Sequence, residues 1–211
     1  MQSNNNVIDH NNVIVGGVPI VNRSEVTSRL VDEAARILVE HGPAGLSLRR
    51  LAAAAGMSTM PVYTLFGDKQ GLLAAMHREA FRRLGAALAA VPRTADPLAD
   101  VAALGLAYRA AALASPHLYG LMFGRMAPDF SPDPEGRAAA DAAYRPLVDG
   151  VARCQRAGVF GGDDPQRIAL HLWAVAHGMV NLELNAQLPA LGDPAQVYLE
   201  ALRYAGMPFL S

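Results

Sequence analysis

The chain has 211 residues, room for one large or two small domains, and 52% of them are hydrophobic, ample for a buried core. A formal charge of −1 rules out a strongly basic chain. A single cysteine, Cys154, excludes an internal disulfide and suits a reducing cytoplasm. Strand signals are nearly absent, so the reading is an all-α protein.

Residues 1–22 are Asn-rich with interspersed Val and Gly, and they read as a flexible, mostly disordered N-terminal tail. The apolar run Val13–Val21 is preceded by Asp9 and several Asn, not by the basic residues a secretory signal needs. Arg23 stands alone at the end of the tail, so it forms no basic arm. A first helix is predicted from Ser24 to His41, with Val26, Leu30, Ala34, Ile37, Leu38 and His41 on one face, ended by Gly42-Pro43.

Residues 46–73 carry the most information. Ser47 is an N-cap, and Leu48, Leu51, Ala52 and Ala55 behind it recur at helical spacing as one apolar stripe. Gly56 ends that helix where a left-handed residue is needed. Ser58 can cap the next helix, with Pro61 in its first turn, where a missing N–H costs little. On this helix Val62, Leu65 and Phe66 face inward, while Thr59, Met60, Tyr63 and Thr64 are left for something outside. Gly67 stops it, and Asp68 caps a long fourth helix, Lys69 to Ala90, with Leu72, Leu73, Met76, Ala80, Leu84 and Leu88 inward. Glu79 and Arg83 are spaced there for an i, i+4 pair. Helix pairs like this also occur in helical proteins that never meet DNA, where Tyr63 and Phe66 would be ordinary core aromatics.

From about Val26 to Met76 the chain resembles the N-terminal DNA-binding domain of the TetR family of bacterial transcriptional regulators. The resemblance is carried by Leu46-Ser47-Leu48-Arg49-Arg50-Leu51-Ala52, Ala55-Gly56-Met57-Ser58, Val62-Tyr63-Thr64-Leu65-Phe66 and Asp68-Lys69-Gln70-Gly71-Leu72-Leu73. It implies that Ser47 and Arg49 touch the DNA backbone or a base edge. It implies too that Thr59, Met60, Pro61, Tyr63 and Thr64 lie in the major groove and that Lys69 meets a phosphate. Arg50 and Ser58 complete the expected DNA-binding set, with Arg49, Arg50 and Lys69 serving phosphates. Pro61 stands where that family often has a small residue, and Leu65 where it often has His, which leaves the operator sequence open. Charge distribution agrees: nine Arg and Lys face six acids between Asn22 and Val91, and nine Arg face twelve acids from Pro92 onward.

Val91 to Pro97 is a break and the expected domain boundary, giving a tail (1–22), a helix-turn-helix DNA-binding domain (23–91) and an effector-binding and dimerisation domain (92–211). Beyond it, helices are predicted at Leu98–Ala114, His117–Phe123, Arg137–Ala157, Pro165–Gln187 and Asp193–Ala205, with a loop from Gly124 to Gly136. The longest apolar stretches are broken by Arg109, His117, His171 and His177, so no transmembrane span and no membrane partner are expected. The Pro165–Gln187 helix is apolar nearly all round and needs burial on two sides. One side meets its own domain, and the other is assigned to a second copy, with Ile168, Leu172, Val175, Met179 and Leu182, joined by Val197 and Leu202, as the homodimer interface. One large monomeric core is the alternative.

Trp173-Ala174-Val175-Ala176-His177-Gly178 resembles the WHG type of TetR C-terminal domain, which implies a ligand-binding, dimerising unit. Tyr108, Tyr119, Met122, Phe123, Met126, Trp173, His177 and Asn181 are the expected pocket lining for a hydrophobic or aromatic effector, although such residues also make plain core. Catalytic signatures are missing. There is no phosphate loop around Lys69 and no Gly-x-Ser-x-Gly elbow. His171 and His177 lie about 240° apart round a helix and cannot share a metal. No catalytic residue, metal or cofactor is expected. The combined reading is a cytoplasmic regulator that binds double-stranded DNA at a near-palindromic site as a homodimer. Its expected mode is repression relieved by a small molecule; the alternatives are an activator or ligand-independent regulator on the same fold, or a helical interaction protein or enzyme without DNA binding.

Overall fold

The computed structural model describes residues 12–15, 18–123 and 130–211. Its described residues are almost all helical. The helices are α1 (Arg23–Gly45), α2 (Leu48–Ala54), α3 (Thr59–Phe66), α4 (Lys69–Ala89), α5 (Pro97–Ala114), α6 (Pro116–Met122), α7 (Pro134–Arg156), α8 (Pro165–Leu184) and α9 (Pro194–Gly206).

The expected tail departs from its reading. Residues 12–22 hold two short antiparallel strands, β1 (Asn12–Val15) and β2 (Val18–Asn22), with Ile14 opposite Pro19 and Val15 opposite Val18. The cause is legible afterwards. Two β-branched runs, Val13-Ile14-Val15 and Val18 with Ile20-Val21, flank Gly16-Gly17, a two-residue spacing that favours a hairpin. Residues 1–11 of the expected tail lie outside the described residues.

Capping sets most helix starts. Ser47 accepts from the Arg50 amide at 3.2 Å, and Asp68 accepts from the Gly71 amide at 2.8 Å. The helices α5, α7, α8 and α9 all begin on an Asp-Pro pair. Asp96, Asp133, Asp164 and Asp193 each accept from first-turn amides, and the following proline fills a position that needs no N–H. Helix α1 runs on past its expected end at His41, but Gly42, at φ 66°, kinks it there. Gly56, at φ 64°, makes the turn between α2 and α3.

Three apolar clusters fill the interior. The first joins Leu30, Val31, Ile37, Leu51, Val62, Leu72 and Met76 of α1–α4 to Leu118 and Leu121 of α6. The second gathers Phe81, Leu84 and Leu88 of α4 with Leu104, Tyr108, Tyr119, Ala176 and Tyr198. The third holds Val151, Cys154, Phe160, Ile168 and Leu172. Helix α4 thus threads from the first cluster into the second. The expected Glu79–Arg83 pair forms at 2.8 Å, and Arg83 also reaches Asp32 of α1 at 2.5 Å.

By length and composition alone α5 could cross a membrane, with a mean hydropathy of 1.2. Here it packs against α4, α7, α8 and α9, and its Arg109 pairs with Glu183 of α8 at 2.5 Å.

Candidate nucleic-acid interface and cavity

The turn at Gly56 sets α3 against α2 through Val62, fully buried, and Phe66, which leaves the opposite face of α3 outside. That face carries Ser58, Thr59, Met60, Tyr63 and Thr64, all exposed, with Met60 74% and Tyr63 44% accessible. Pro61 is half-buried at its edge. The Ser58 side chain stands at the N-cap position but makes no capping hydrogen bond. The hydroxyl of Thr64 donates to the Met60 carbonyl at 2.9 Å. Ser47 and Arg49 are exposed on the adjoining end of α2.

Two expected phosphate ligands have protein partners. The Arg50 guanidinium donates to the Gly45 carbonyl at 2.9 Å, and the Lys69 ammonium donates to the Pro43 carbonyl. Both acceptors lie beyond the Gly42 kink, where carbonyls lack regular helical partners. Sequence spacing does not foresee these bonds, because the predicted first helix ends at Gly42-Pro43 and α1 runs on to Gly45.

In the second half the expected pocket residues converge, but not as a simple lining. His177 Nδ1 lies 2.7 Å from the Tyr119 hydroxyl and 3.1 Å from that of Tyr108. The two hydroxyls are 2.9 Å apart, and the Trp173 indole N–H donates to Tyr108 at 3.3 Å. The Asn181 amide lies 2.8 Å from Nε2, so a neutral ring that accepts there carries its proton on Nδ1. Phe123 packs edge-on to His177 with centroids 4.3 Å apart. Burial pushes the Tyr108 phenol above its ordinary pKa, so it stays protonated. Met126 lies outside the described residues.

Beside this cluster is a cavity of about 780 Å³, inside the usual range for small-molecule sites. Tyr108, Phe123 and Trp173 form part of its wall, whereas Tyr119, Met122, His177 and Asn181 stand off it. The rest of the lining was not foreseen. Phe81, Leu84 and Leu88 come from α4, Leu98 and Val101 from α5, Tyr144 and Leu147 from α7, and Leu199 and Leu202 from α9. Charged groups, Asp141, Asp164, Arg167 and Arg203, also border it. Small side chains, Ala102 and Gly105 on α5 and Ala140 and Ala143 on α7, also line it.

Two residues of the expected dimer face, Ile168 and Leu172, are buried within the chain itself. Ile168, 1% accessible, sits in the chain's own third cluster, Leu172 belongs to that cluster and to the cavity wall, and Leu202 lines the cavity. One side of α8 fronts the core, and Leu170 and Trp173 border the cavity, with Leu170 still 54% accessible. Val175, Met179 and Val197 are half-buried, and Leu182 is exposed.

A three-helix unit with an outward polar and aromatic recognition helix, joined by α4 to an all-helical partner, is the build of a helix-turn-helix DNA-binding regulator. Comparisons with known proteins agree. Residues 30–76 match the family described as bacterial regulatory proteins, tetR family, and residues 101–204 match the tetracyclin repressor-like C-terminal domain. The HTH-type transcriptional regulator Rv1816 of Mycobacterium tuberculosis is 27% identical, over 83% of this chain and 88% of its own length. The HTH-type transcriptional repressor AcnR of Corynebacterium efficiens is 36% identical over 72 residues, 34% of this chain and 36% of that protein. A solved structure from Rhodococcus sp. RHA1, of a protein of unknown function, is 32% identical with a TM-score of 0.77, covering 88% of this chain and 96% of that one. The chain belongs to the TetR family of DNA-binding transcriptional regulators, which are not enzymes.

Proposed function

We propose that this regulator is a homodimeric repressor that leaves a near-palindromic operator when a hydrophobic or aromatic small molecule fills the 780 Å³ cavity. The observation that carries this reading is the place of α4. Its Phe81, Leu84 and Leu88 wall the cavity, while its first residue, Lys69, follows the recognition helix by two residues. A ligand that prefers a different set of α4 in the cavity changes the spacing of two recognition helices. Moving the population almost completely requires roughly 10⁴-fold differential affinity. Residues 23–91 form the DNA-binding unit, and 92–211 bind the effector and pair the subunits, in a C-terminal domain of the WHG type. Repression is favoured by the similarity of a 72-residue stretch to a repressor. The regulator acts on the chromosome in the cytoplasm.

The dimer face moves outward from the one read in the sequence. His171, Ala174 and Leu182 are exposed on α8, with Gly178 half-buried among them, and α9 adds the half-buried Val197 and the exposed Tyr204. Ala174 and Gly178 are small enough for a second α8 to approach closely, and Leu182 and Tyr204 supply exposed apolar area.

Trp173 is the only tryptophan in the chain and lines the cavity, so its fluorescence reports occupancy. Decanoate, palmitate and naphthalene are titrated into the full chain bound to DNA from beside its own gene. A probe that shifts Trp173 emission and releases the DNA in the same concentration range supports the reading. Probes that occupy the cavity and leave the DNA bound overturn ligand release. A monomer at micromolar concentration in sedimentation overturns the dimer.

A further inference from the structure

Helix α3, Thr59-Met60-Pro61-Val62-Tyr63-Thr64-Leu65-Phe66, contains no Arg, Lys, His, Asn, Gln, Asp or Glu. The usual paired hydrogen bonds to bases come from Arg or Lys on guanine and from Asn or Gln on adenine. None of these is available from this helix. Its exposed surface offers three other things: the thioether chain of Met60, the ring of Tyr63, and hydroxyl-bearing side chains. The hydroxyl of Thr64 is partly spent, because its proton goes to the Met60 carbonyl, which leaves its methyl group for the groove. Pro61 adds apolar surface and no N–H donor.

A methionine side chain 74% exposed is a large apolar surface left in water, and it gains by covering another apolar group. In the major groove the apolar group is the 5-methyl of thymine. We propose that this protein chooses its operator mainly through thymine methyl groups, with Met60, Tyr63 and Thr64 as the specificity-determining contacts. The inference rests on α3 being the helix that enters the groove. Cations on the flanks, Arg49 above all, then serve the phosphates and set register, while α3 reads a hydrophobic pattern. Because the methyl lies on opposite strands in T·A and A·T pairs, such readout still distinguishes the two.

The test uses the full-length chain. Bound duplexes are selected from a random pool, and the enriched duplex is resynthesised with deoxyuridine for thymidine, one position at a time. A second set carries 7-deazaguanine, which lacks the major-groove N7 acceptor. A third replaces single T·A pairs by 5-methylcytosine·G or by C·G. We expect uracil to weaken binding about fourfold per methyl removed at one or more positions in each half-site. At those positions 5-methylcytosine should bind better than cytosine, and 7-deazaguanine should change little. The variants Met60→Ala and Tyr63→Ala, whose side chains are exposed and leave the core intact, should lose the difference between thymine and uracil. Uracil duplexes that bind as tightly as thymine ones overturn the proposal, as does a loss of about tenfold or more on 7-deazaguanine, the signature of paired guanine readout. A selection that enriches no sequence overturns sequence-specific binding itself, before any methyl is removed.

Discussion

Replacing Arg49 by Ala should flatten the salt dependence of operator binding more than replacing Arg50. Arg49 is exposed and, among the described residues, forms no ion pair or side-chain hydrogen bond, so its charge is available to a phosphate. Arg50 is held by the Gly45 carbonyl at 2.9 Å, and Lys69 by the Pro43 carbonyl. Each phosphate neutralised on duplex DNA contributes about 0.9 to the slope of log affinity against log salt. With two half-sites, as in the proposed dimer, about 1.8 is lost when Arg49 goes. Between 50 and 200 mM salt the wild type should therefore weaken roughly twelvefold more than the variant. Arg50→Ala should act chiefly on the α1–α2 corner, costing about 1 kcal/mol of stability for the lost carbonyl bond, with a smaller change of slope. Fluorescence anisotropy on the selected duplex at several salt concentrations measures the slopes. Equal slopes for wild type and Arg49→Ala, with a drop for Arg50→Ala, would refute the reasoning.

Tyr198→Phe removes a buried hydroxyl that donates to the Gly105 carbonyl at 2.8 Å and should cost about 1 kcal/mol, read from urea midpoints. Leu121→Ala, at a side chain 1% accessible, should cost about 2–5 kcal/mol by the same measurement. Because α6 packs into the first cluster, that loss should loosen the DNA-binding half, seen as faster amide exchange in α1 and α4. His77 is 3% accessible, and among the described residues its Nδ1 has no hydrogen-bond partner. Burial pulls its pKa below the ordinary 6.5, Asp133 opposes this, and Arg78 adds to it. The unfolded chain then takes up a proton near pH 6.5 that the folded chain refuses, so stability present above that pH declines as the pH falls toward the folded value. His77→Phe, between Phe81 and Phe130, should flatten the decline between pH 7.5 and 5.5. An unchanged pH dependence would remove His77 as its source.

The recognition unit was legible because its signals are local. Ser47, Gly56, Asp68 and the 3.6-residue stripes each act within a few residues, and the structure places α2, α3 and α4 within a residue or two of the expected bounds. The hairpin at 12–22 was missed because polar Asn residues around it outweighed two short β-branched runs. The cavity was half legible. Aromatic residues at helical spacing on α5, α6 and α8 pointed to one place, and Tyr108, Phe123 and Trp173 do wall it. Its α4, α7 and α9 walls depend on how helices far apart in sequence cross, which periodicity does not encode. The same gap misdirected Ile168 and Leu172, which the chain buries itself. Periodicity shows that a face is apolar, but core, cavity and partner all require an apolar face.

The break at 91–97 separates the chain in sequence but not in packing. Leu118 and Leu121 of α6 belong to the core of α1–α4, while Tyr119 between them bonds to His177 on α8. Arg78 of α4 pairs with Asp133 and, at 3.4 Å, with Glu135 at the start of α7. The two halves therefore share α4 and α6 as common walls, and neither is a free hinge. Under the proposed mechanism a ligand against Phe81 and Leu84 cannot tilt α4 without also working on α6, because Tyr119 and Phe81 lie in one cluster. Close-packed interiors pass such strain on rather than absorb it. Cutting the Tyr119–His177 bond with Tyr119→Phe should then weaken the coupling between cavity and operator, measured as a smaller ratio of operator affinities with and without the releasing ligand. Operator affinity without ligand should stay near wild type. An unchanged ratio would leave α4 as the sole route.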